Sequence, residues 1–418
     1  MVDRAGRAVR ERVVRSFAAI VLLPMPLSAQ EACPVRVSWQ APTTIGGGVH
    51  AVVPDGRDIV LLGETILTMR RDSSGAPVVV DTNFAGMRRR ASRPPELIPR
   101  PRGARAFISP RAFRLPFGAI EVIWSEPDFD AGARYGFGAW FLRSATLRRS
   151  SWSTARTLGR FSDRVTLSRQ MGSDIVRSGG SWRIAFTWDD TVTYKRPLVL
   201  ATHDSRGWTL RSDLLPLRSL GAVALADDRG TLVGLVTAVV VPPRAPAGVP
   251  VRQTIWRTRL VDAAWTRPEQ VGGDGARPLS DPQLLTSPSG VIAAWLDRGD
   301  STSTLEWRDI TRDRELGPLQ RLDGAVMMVS GLEGHRDLLS VSMLDGTGRV
   351  LRLRADGYDE VGRYPAKYGF AFPVAGPRDR PIAVVTDIAE RDGHQWPTLT
   401  AYDLRCARAA SGGAVPPG

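Results

Sequence analysis

Cysteine, histidine and lysine are all scarce in this chain. Its 418 residues include two cysteines, four histidines and two lysines, Lys195 and Lys367. Structural zinc sites use four Cys or His ligands, often in closely spaced pairs, and these few scattered residues supply no such set. The sequence also contains no phosphate-binding glycine loop, no nucleophile elbow and no cysteine-protease arrangement. The composition therefore argues against a zinc site and against several common catalytic classes.

Because lysine is nearly absent, the positive charge is almost wholly arginine. The formal net charge of +13 would suit a nucleic-acid partner. The arginines, however, are spread along the whole chain, apart from one run between Arg88 and Arg105 that is interleaved with prolines. An even excess of arginine over lysine is typical of a composition bias rather than of a basic binding surface. We therefore expect no nucleic-acid partner.

The chain has one notably apolar stretch, and it lies near the N-terminus. Phe17 to Leu27 follows five arginines and leads into Leu27-Ser28-Ala29, a small-residue cleavage site, so residues 1–29 are predicted to be a secretory signal peptide. The stretch is short and contains two prolines, which argues against a permanent membrane span. An uncleaved anchor is the alternative. We expect a secreted or periplasmic protein with no membrane span after the signal is removed.

The two cysteines lie near the two ends of the mature chain. In a secreted protein they predict an oxidising compartment and one disulfide, between Cys33 and Cys406. Two unrelated free thiols are the alternative interpretation.

Helical periodicity is also missing after the signal segment, whereas 41 glycines and 31 prolines punctuate short apolar runs. A repeat recurs at intervals of roughly 45 to 62 residues, within the range of four-stranded propeller blades. Each copy has an A strand, a strongly apolar B strand, a C strand and a D strand. Residues 78–80 and 316–322, for example, are predicted to be D strands, and residues 329–332 to be an A strand. The seven predicted B strands are residues 59–62, 120–124, 182–188, 232–240, 291–295, 338–344 and 382–386.

The last repeat ends before its D strand, and the segment Cys33 to Trp39 at the front of the chain has the pattern of the missing strand. We therefore predict an all-β, seven-bladed β-propeller over residues 30–408, closed by the N-terminal strand in the last blade, with a disordered tail over 409–418. Two β-sandwich domains are the alternative, but no Pro/Gly linker lies at mid-chain. The segment Pro242 to Gly248 falls between a B and a C strand and is interpreted as a loop.

In such a ring, the D-to-A and B-to-C connections lie around the mouth of the central channel. The ligand-binding candidates at this mouth are His50, Arg111, Glu126, Asp174, Asp190, Asp281, Asp297 and Tyr368. Glu126, Asp128 and Asp130 could also hold calcium through carboxylate oxygens, although the full loop pattern is absent; no other cofactor is expected. The alternative is that these loop acids only cap turns and keep the rim soluble.

Several B strands end in Trp followed by an acid, and several D strands begin with Trp-Ser or Trp-Thr. Examples are Trp124-Ser125-Glu126, Trp188-Asp189, Trp152-Ser153 and Trp265-Thr266. This pattern resembles the sialidase-like (BNR-repeat) β-propeller superfamily, with Asp204-Ser205-Arg206-Gly207-Trp208 as a degenerate copy of its Asp-box turn. Phe113-Arg114-Leu115-Pro116 is similar in letters to the family's arginine motif, but at the end of its A strand away from the mouth.

The resemblance and the rim residues together imply a protein that binds a ligand, a glycan or a protein partner, at the channel mouth without evident catalysis. A sialidase-like glycoside hydrolase that uses rim carboxylates is the alternative. We expect a monomer.

Overall fold

The computed structural model describes most of the chain after the signal segment. The described residues are 33–40, 49–55, 58–63, 68–71, 77–80, 84–90, 93–131, 138–162, 165–167, 175–188, 196–217, 220–240, 252–273, 278–299, 302–311, 315–332, 335–365, 371–375, 381–391 and 394–403. Within these ranges the protein is all-β, apart from two three-residue 3-10 turns, Pro116–Gly118 and Phe129–Ala131.

The strands alternate with short turns along the whole described chain. In chain order they are β1 (Cys33–Gln40), β2 (Val49–Asp55), β3 (Asp58–Gly63), β4 (Thr68–Arg71), β5 (Pro77–Val80), β6 (Phe84–Arg90), β7 (Arg93–Pro99), β8 (Ile108–Arg114), β9 (Ile120–Pro127), β10 (Trp140–Arg148), β11 (Ser151–Trp152), β12 (Arg156–Phe161), β13 (Val165–Thr166), β14 (Ile175–Ser178), β15 (Ser181–Trp188), β16 (Leu198–Asp204), β17 (Gly207–Asp213), β18 (Leu220–Asp228), β19 (Thr231–Val240), β20 (Arg252–Val261), β21 (Ala264–Trp265), β22 (Glu269–Gly272), β23 (Leu279–Ser287), β24 (Gly290–Arg298), β25 (Ser303–Asp309), β26 (Gln320–Leu332), β27 (His335–Met343), β28 (Thr347–Arg354), β29 (Gly357–Pro365), β30 (Ala371–Ala375), β31 (Pro381–Arg391) and β32 (His394–Asp403).

The predicted B segments correspond to seven strands: β3, β9, β15, β19, β24, β27 and β31. Each pairs antiparallel with the predicted A strand before it and with a C strand after it. The prediction was possible because alternating apolar residues and Gly-rich turns specify antiparallel hairpins locally.

Two predictions about the strands are wrong. Residues 78–80 were expected to be the D strand of the first repeat, but they lie in β5, which pairs with β4 in a separate two-stranded sheet, and β7 is the last strand of the sheet β2-β3-β6-β7. Residues 316–322 and 329–332 were expected to be separate D and A strands, but most of this segment is the single strand β26. Its first part pairs with β25 and its remainder with β27, so two repeats merge into one seven-stranded sheet. Gly324 has φ of +112° and lies at a register shift in this strand, and such a kink lets one strand serve two neighbours.

The Trp-Ser and Trp-Thr pairs interrupt two of the outer strands. The amide of Ser153 donates to the Thr146 carbonyl at 2.9 Å, and the Ser153 hydroxyl accepts from the Thr146 amide at 2.9 Å. Thr266 bonds Arg259 in the same way, at 2.7 and 3.0 Å. The hydroxyl thus takes over a bond that a backbone carbonyl would make, which is how Ser and Thr commonly end a ladder.

The first strand belongs to the last sheet. β1 pairs antiparallel with β32, with Cys33 opposite Asp403 and Trp39 opposite Leu399, and the strand order is β1-β32-β31-β30. The predicted position of the front strand is therefore found. Cys406 lies outside the described residues, so the Cys33–Cys406 disulfide stays a prediction.

Bulky aromatic side chains fill the space between the sheets. Trp124, Trp140, Trp295 and Trp307 are fully buried. Trp295 lies in a cluster that joins residues of β22, such as Val271, to residues of β23 and β24. Along the inner edges of the sheets, β2 contacts both β8 and β30, and β18 contacts both β14 and β23. The core is thus built from contacts between successive sheets.

Among the residues that the structure describes, no helix has the length and apolar character to cross a bilayer.

Candidate functional site

Five of the A strands, the first strands of the repeats, share a register shift in their pairing with the B strand. In β2, β8, β18 and β23 the register shifts near the first residues, where the paired B strand finishes, and in the longer β26 it shifts between Val326 and Met328, opposite the end of β27. Ser109 and Asp281 have positive φ angles of 47° and 52° at two of these shifts, and a proline follows each. Bulges of this kind re-aim side chains and are common beside binding sites. Functional residues are therefore expected at this end of the sheets.

Glu126 lies at this end, near the finish of β9, and its side chain is 1% exposed. Arg143 on β10 approaches it with an Nη2–Oε1 distance of 3.4 Å, and the Trp124 indole lies 3.5 Å from Oε2. Burial raises the pKa of the Glu126 carboxyl, while Arg143 and the backbone amides of Arg105 and Ala106 pull in the opposite direction. Burial is the larger effect, so Glu126 holds its proton more tightly than a solvated glutamate does.

Asp128 follows two residues later in a different environment. Arg160 on β12 donates from Nε to Oδ2 at 2.8 Å, and the Ala131 amide donates to Oδ1 at 3.2 Å. These bonds favour the ionised form, and the hydrogen bond from Arg160 is the main reason that the pKa of Asp128 is lowered.

Arg105 interacts with all three acids of this region. Its guanidinium bonds Asp130 at 2.6 Å and lies over the Phe129 ring, 5.9 Å from the centroid. The hydrogen bond to Asp130 is the main cause of a raised pKa for Arg105, and the charges of Glu126 and Asp128 add to it. Three carboxyl groups and three guanidinium groups therefore gather at one end of one sheet. We call this group the Glu126 site; its members are Arg105, Glu126, Asp128, Asp130, Arg143 and Arg160.

Two neighbouring carboxyl groups with opposite pKa shifts can do different chemistry. A buried acid with a raised pKa can donate a proton, while an ionised acid nearby can accept one or hold a cation or hydroxyl. The arginines add planar donors that suit carboxylate and hydroxyl groups. The arrangement can therefore bind a polar, hydroxyl-rich ligand.

The remaining predicted residues lie in several places. Arg111 on β8 is buried, at 1% exposed. Asp281 and Asp297 are half-buried at the corresponding end of the β23–β24 hairpin, where Arg298 bonds Asp281 at 3.0 Å. His50 is on β2, and its side chain lies outside the described part of the structure, as do residues Asp174, Asp190 and Tyr368.

Arg114 lies at the opposite end of β8, where it pairs with Ile120, the first residue of β9. Its guanidinium is 3.9 Å from Asp55. Arg114 in the Phe113-Arg114-Leu115-Pro116 motif therefore lies at the end of β8 away from Glu126, as predicted.

The carboxyl groups proposed for calcium each have an arginine nearby: Arg143 for Glu126, Arg160 for Asp128 and Arg105 for Asp130. Within the described ranges no three His, Cys, Asp or Glu side chains are grouped so that they could hold a metal ion.

Sequence reasoning missed Arg143 and Arg160. They lie 17 and 34 residues after Glu126 on β10 and β12, and nothing in their neighbourhood distinguishes them from the many other arginines. The register brings them to the site, because Arg143 pairs with Trp124 on one side and with Thr157 on the other. Once the strand pairing is known, both arginines can be found, because they lie on β10 and β12 near the end of the sheet that holds Glu126.

No protein-family model and no curated protein matches the chain. Similar solved structures include an ulvan lyase of polysaccharide lyase family PL25, with a TM-score of 0.51 and 9% identity, covering 90% of this chain and 95% of that one. A GH93 α-L-arabinofuranosidase of Fusarium graminearum has a TM-score of 0.48 and 11% identity, covering 90% and 98%. A Trypanosoma rangeli sialidase has a TM-score of 0.39 and 10% identity, covering 88% and 60%.

These three proteins are β-propellers. The likeness to the ulvan lyase supports the same general architecture for this chain, antiparallel sheets arranged as in a β-propeller. At 9% identity it concerns the fold alone.

Proposed function

We propose that the sheets form one seven-bladed ring, that β1 completes the last blade, and that a Cys33–Cys406 disulfide fastens the two ends in a secreted or periplasmic, monomeric protein. The proposal rests on the contact of β2 with both β8 and β30 and on the pairing of β1 with β32. Peptide mapping under non-reducing conditions is expected to find the two cysteines linked. Two free thiols would contradict the Cys33–Cys406 disulfide.

We further propose that the protein binds a glycan at the Glu126 site. The observation that carries this proposal is the gathering of Glu126 and Asp128, both nearly buried, with three arginines at the bulged end of the sheets. Sugars present many hydroxyl groups, and fixed carboxylate acceptors with guanidinium donors match them closely. The similar fold of an enzyme named for a polysaccharide makes a polymeric glycan the first ligand to test.

The test is to measure binding of a panel of polysaccharides to the mature protein by affinity electrophoresis, followed by calorimetry on the best ligand. Replacing Asp128 with asparagine is expected to weaken binding about tenfold or more, since a hydrogen bond to a charged group contributes roughly 1.5–3 kcal/mol. Asp128→Asn also removes the ion-pair partner of Arg160, so the position of the Arg160 side chain at the site should change as well.

The matched control is Asp337→Asn, which removes the partner of Arg352 in a similar ion pair of 2.8 Å on β27 and β28. This variant should bind like the wild type. Equal losses in both variants, or no loss in Asp128→Asn, would contradict a glycan site at Glu126.

The opposed pKa shifts of Glu126 and Asp128 favour a second function, glycoside hydrolysis. Protonated Glu126 would give its proton to the leaving glycosidic oxygen as that bond breaks. Ionised Asp128 would take a proton from the water that attacks the sugar carbon. Both steps use the protonation state that each residue's surroundings favour.

If this second function holds, cleavage of the bound glycan should decline as pH rises through the raised pKa of Glu126, because the acid is then lost. It should also decline at low pH, as Asp128 gains a proton. Glu126→Gln should lower the rate by about 100-fold or more while binding persists. Reducing-end assays on the same panel check this, and a glycan that binds but is never cleaved leaves only the binding function.

A further inference from the structure

A cavity of about 440 Å³ lies between two neighbouring sheets at the opposite end of β9 from the Glu126 site. Glu121 and Glu126 are five residues apart on that strand, about 17 Å in an extended chain. The residues of the cavity that matter here are Glu121, Arg148, Trp152, Arg156, His203 and Trp208. We call it the Glu121 cavity. Its volume is within the range of small-molecule sites, roughly 300–1,000 Å³.

Glu121 is the buried polar group of this cavity, with 4% of its surface exposed. Thr146 donates from Oγ1 to its Oε2 at 2.7 Å, and Trp208 donates from Nε1 to its Oε1 at 2.8 Å. Both donors are neutral, and within the described part of the chain no cationic side chain forms an ion pair with Glu121. A carboxylate has about four acceptor positions, so two remain for donors from a ligand.

Two indole rings form fixed walls. Trp152 donates from Nε1 to the Pro99 carbonyl at 2.6 Å, and Trp208 is held by Glu121. The His203 ring packs edge-on against Trp208, with centroids 5.1 Å apart. Both tryptophans are half-buried, so part of each ring lines the open space. A fixed aromatic face beside hydrogen-bonding groups suits a sugar ring, whose C–H face is apolar and whose edge carries hydroxyls.

Arg148 and Arg156 give the cavity its charge. Both are exposed, and among the residues that the structure describes neither has a carboxylate within ion-pair distance. The arginines of the Glu126 site, by contrast, each have such a partner. A guanidinium group binds a carboxylate in a planar, two-point contact. Two such groups at one cavity favour a ligand with an acidic group.

We propose that the Glu121 cavity binds one carboxylated sugar unit, a hexuronate, separately from the Glu126 site. The ring stacks on the Trp152 and Trp208 walls, a hydroxyl donates to Glu121, and the carboxylate meets Arg148 and Arg156. The proposal does not depend on the function proposed for the Glu126 site.

The test uses the full mature chain with glucuronate and glucose, which differ by the carboxylate, in ligand-observed NMR titrations. Glucuronate is expected to bind in a saturable way and glucose about tenfold more weakly or worse. The double variant Arg148→Ala/Arg156→Ala should lose that preference, and because both side chains are exposed the fold should persist. Glu121→Gln should weaken both sugars.

The control variant is Arg267→Ala, an exposed arginine in the connection between β21 and β22, which should leave glucuronate binding unchanged. The loss of glucuronate binding caused by the double arginine variant should be the same size in the Asp128→Asn background, which separates this cavity from the Glu126 site. Equal binding of the two sugars, no saturable glucuronate binding, or a loss in Asp128→Asn but not in the double arginine variant would overturn the proposal.

Discussion

Replacing Trp295 with alanine is expected to lower the free energy of unfolding by about 3–5 kcal/mol, the usual cost of removing a large buried aromatic side chain. Trp295 is 0% exposed and packs in the cluster between the β20–β22 sheet and the β23–β24 hairpin. Its indole nitrogen donates to Oε2 of Glu306 at 3.1 Å. The substitution would leave a cavity and also remove one hydrogen bond from a carboxylate that is 4% exposed.

Urea denaturation followed by far-UV circular dichroism measures the loss. Trp295→Phe should lose less, because it keeps an aromatic ring and removes only the donor and part of the volume. Leu214→Ala is the control, since Leu214 is 60% exposed, and its effect should stay within about 0.5 kcal/mol. A loss of similar size for Trp295→Ala and Leu214→Ala would show that Trp295 does not join the two sheets.

The second large loss of stability is expected from a substitution at Gly272, because this residue packs directly against Trp295. A Cβ atom at Gly272 would be 2.4 Å from Cζ2 of the indole, with two further ring atoms at 2.7 and 2.8 Å. The ring is enclosed by the core and cannot move away without displacing its neighbours. Gly272→Ala is therefore expected to cost about 1–3 kcal/mol through overpacking.

A double-mutant cycle identifies the cause. In the Trp295→Ala background the ring is gone, so adding Gly272→Ala should cost almost nothing, and the coupling energy should equal the overpacking penalty of about 1–3 kcal/mol. Gly103→Ala is the control. It has φ of +80°, and a Cβ added there would have no other atom within 4 Å, so its cost comes from the backbone and should be the same in both backgrounds. An additive cycle for Gly272 would contradict the packing explanation.

The sequence predicts the strands well because strand formation is locally encoded. In the B strand Ile120 to Trp124, and in its counterpart Val291 to Trp295, apolar residues sit between a Gly-containing turn and an acidic end. The same local pattern marked Cys33 to Trp39 as an unpaired D strand, and the structure has it beside β32. Glu126 and Asp128 were also predictable, because acids that follow a B strand lie at one end of a sheet.

The partners of these acids were not predictable. Arg143 and Arg160 reach Glu126 and Asp128 only through the register of β10 with its neighbours, and a shift of one residue would turn Arg143 to the other face. The merging of two repeats in β26 depends on a kink at Gly324 rather than on its apolar pattern.

The amino-acid sequence by itself determined an all-β chain, the order of its strands and the position of its acids at the strand ends, because alternation and turns act over a few neighbouring residues. Only the tertiary structure decided which distant side chains contact each other. Trp208 bonds Glu121 across 87 residues of sequence, and Gly272 meets Trp295 across two sheets. Such contacts arise from the packing of one sheet against the next, which no local pattern records.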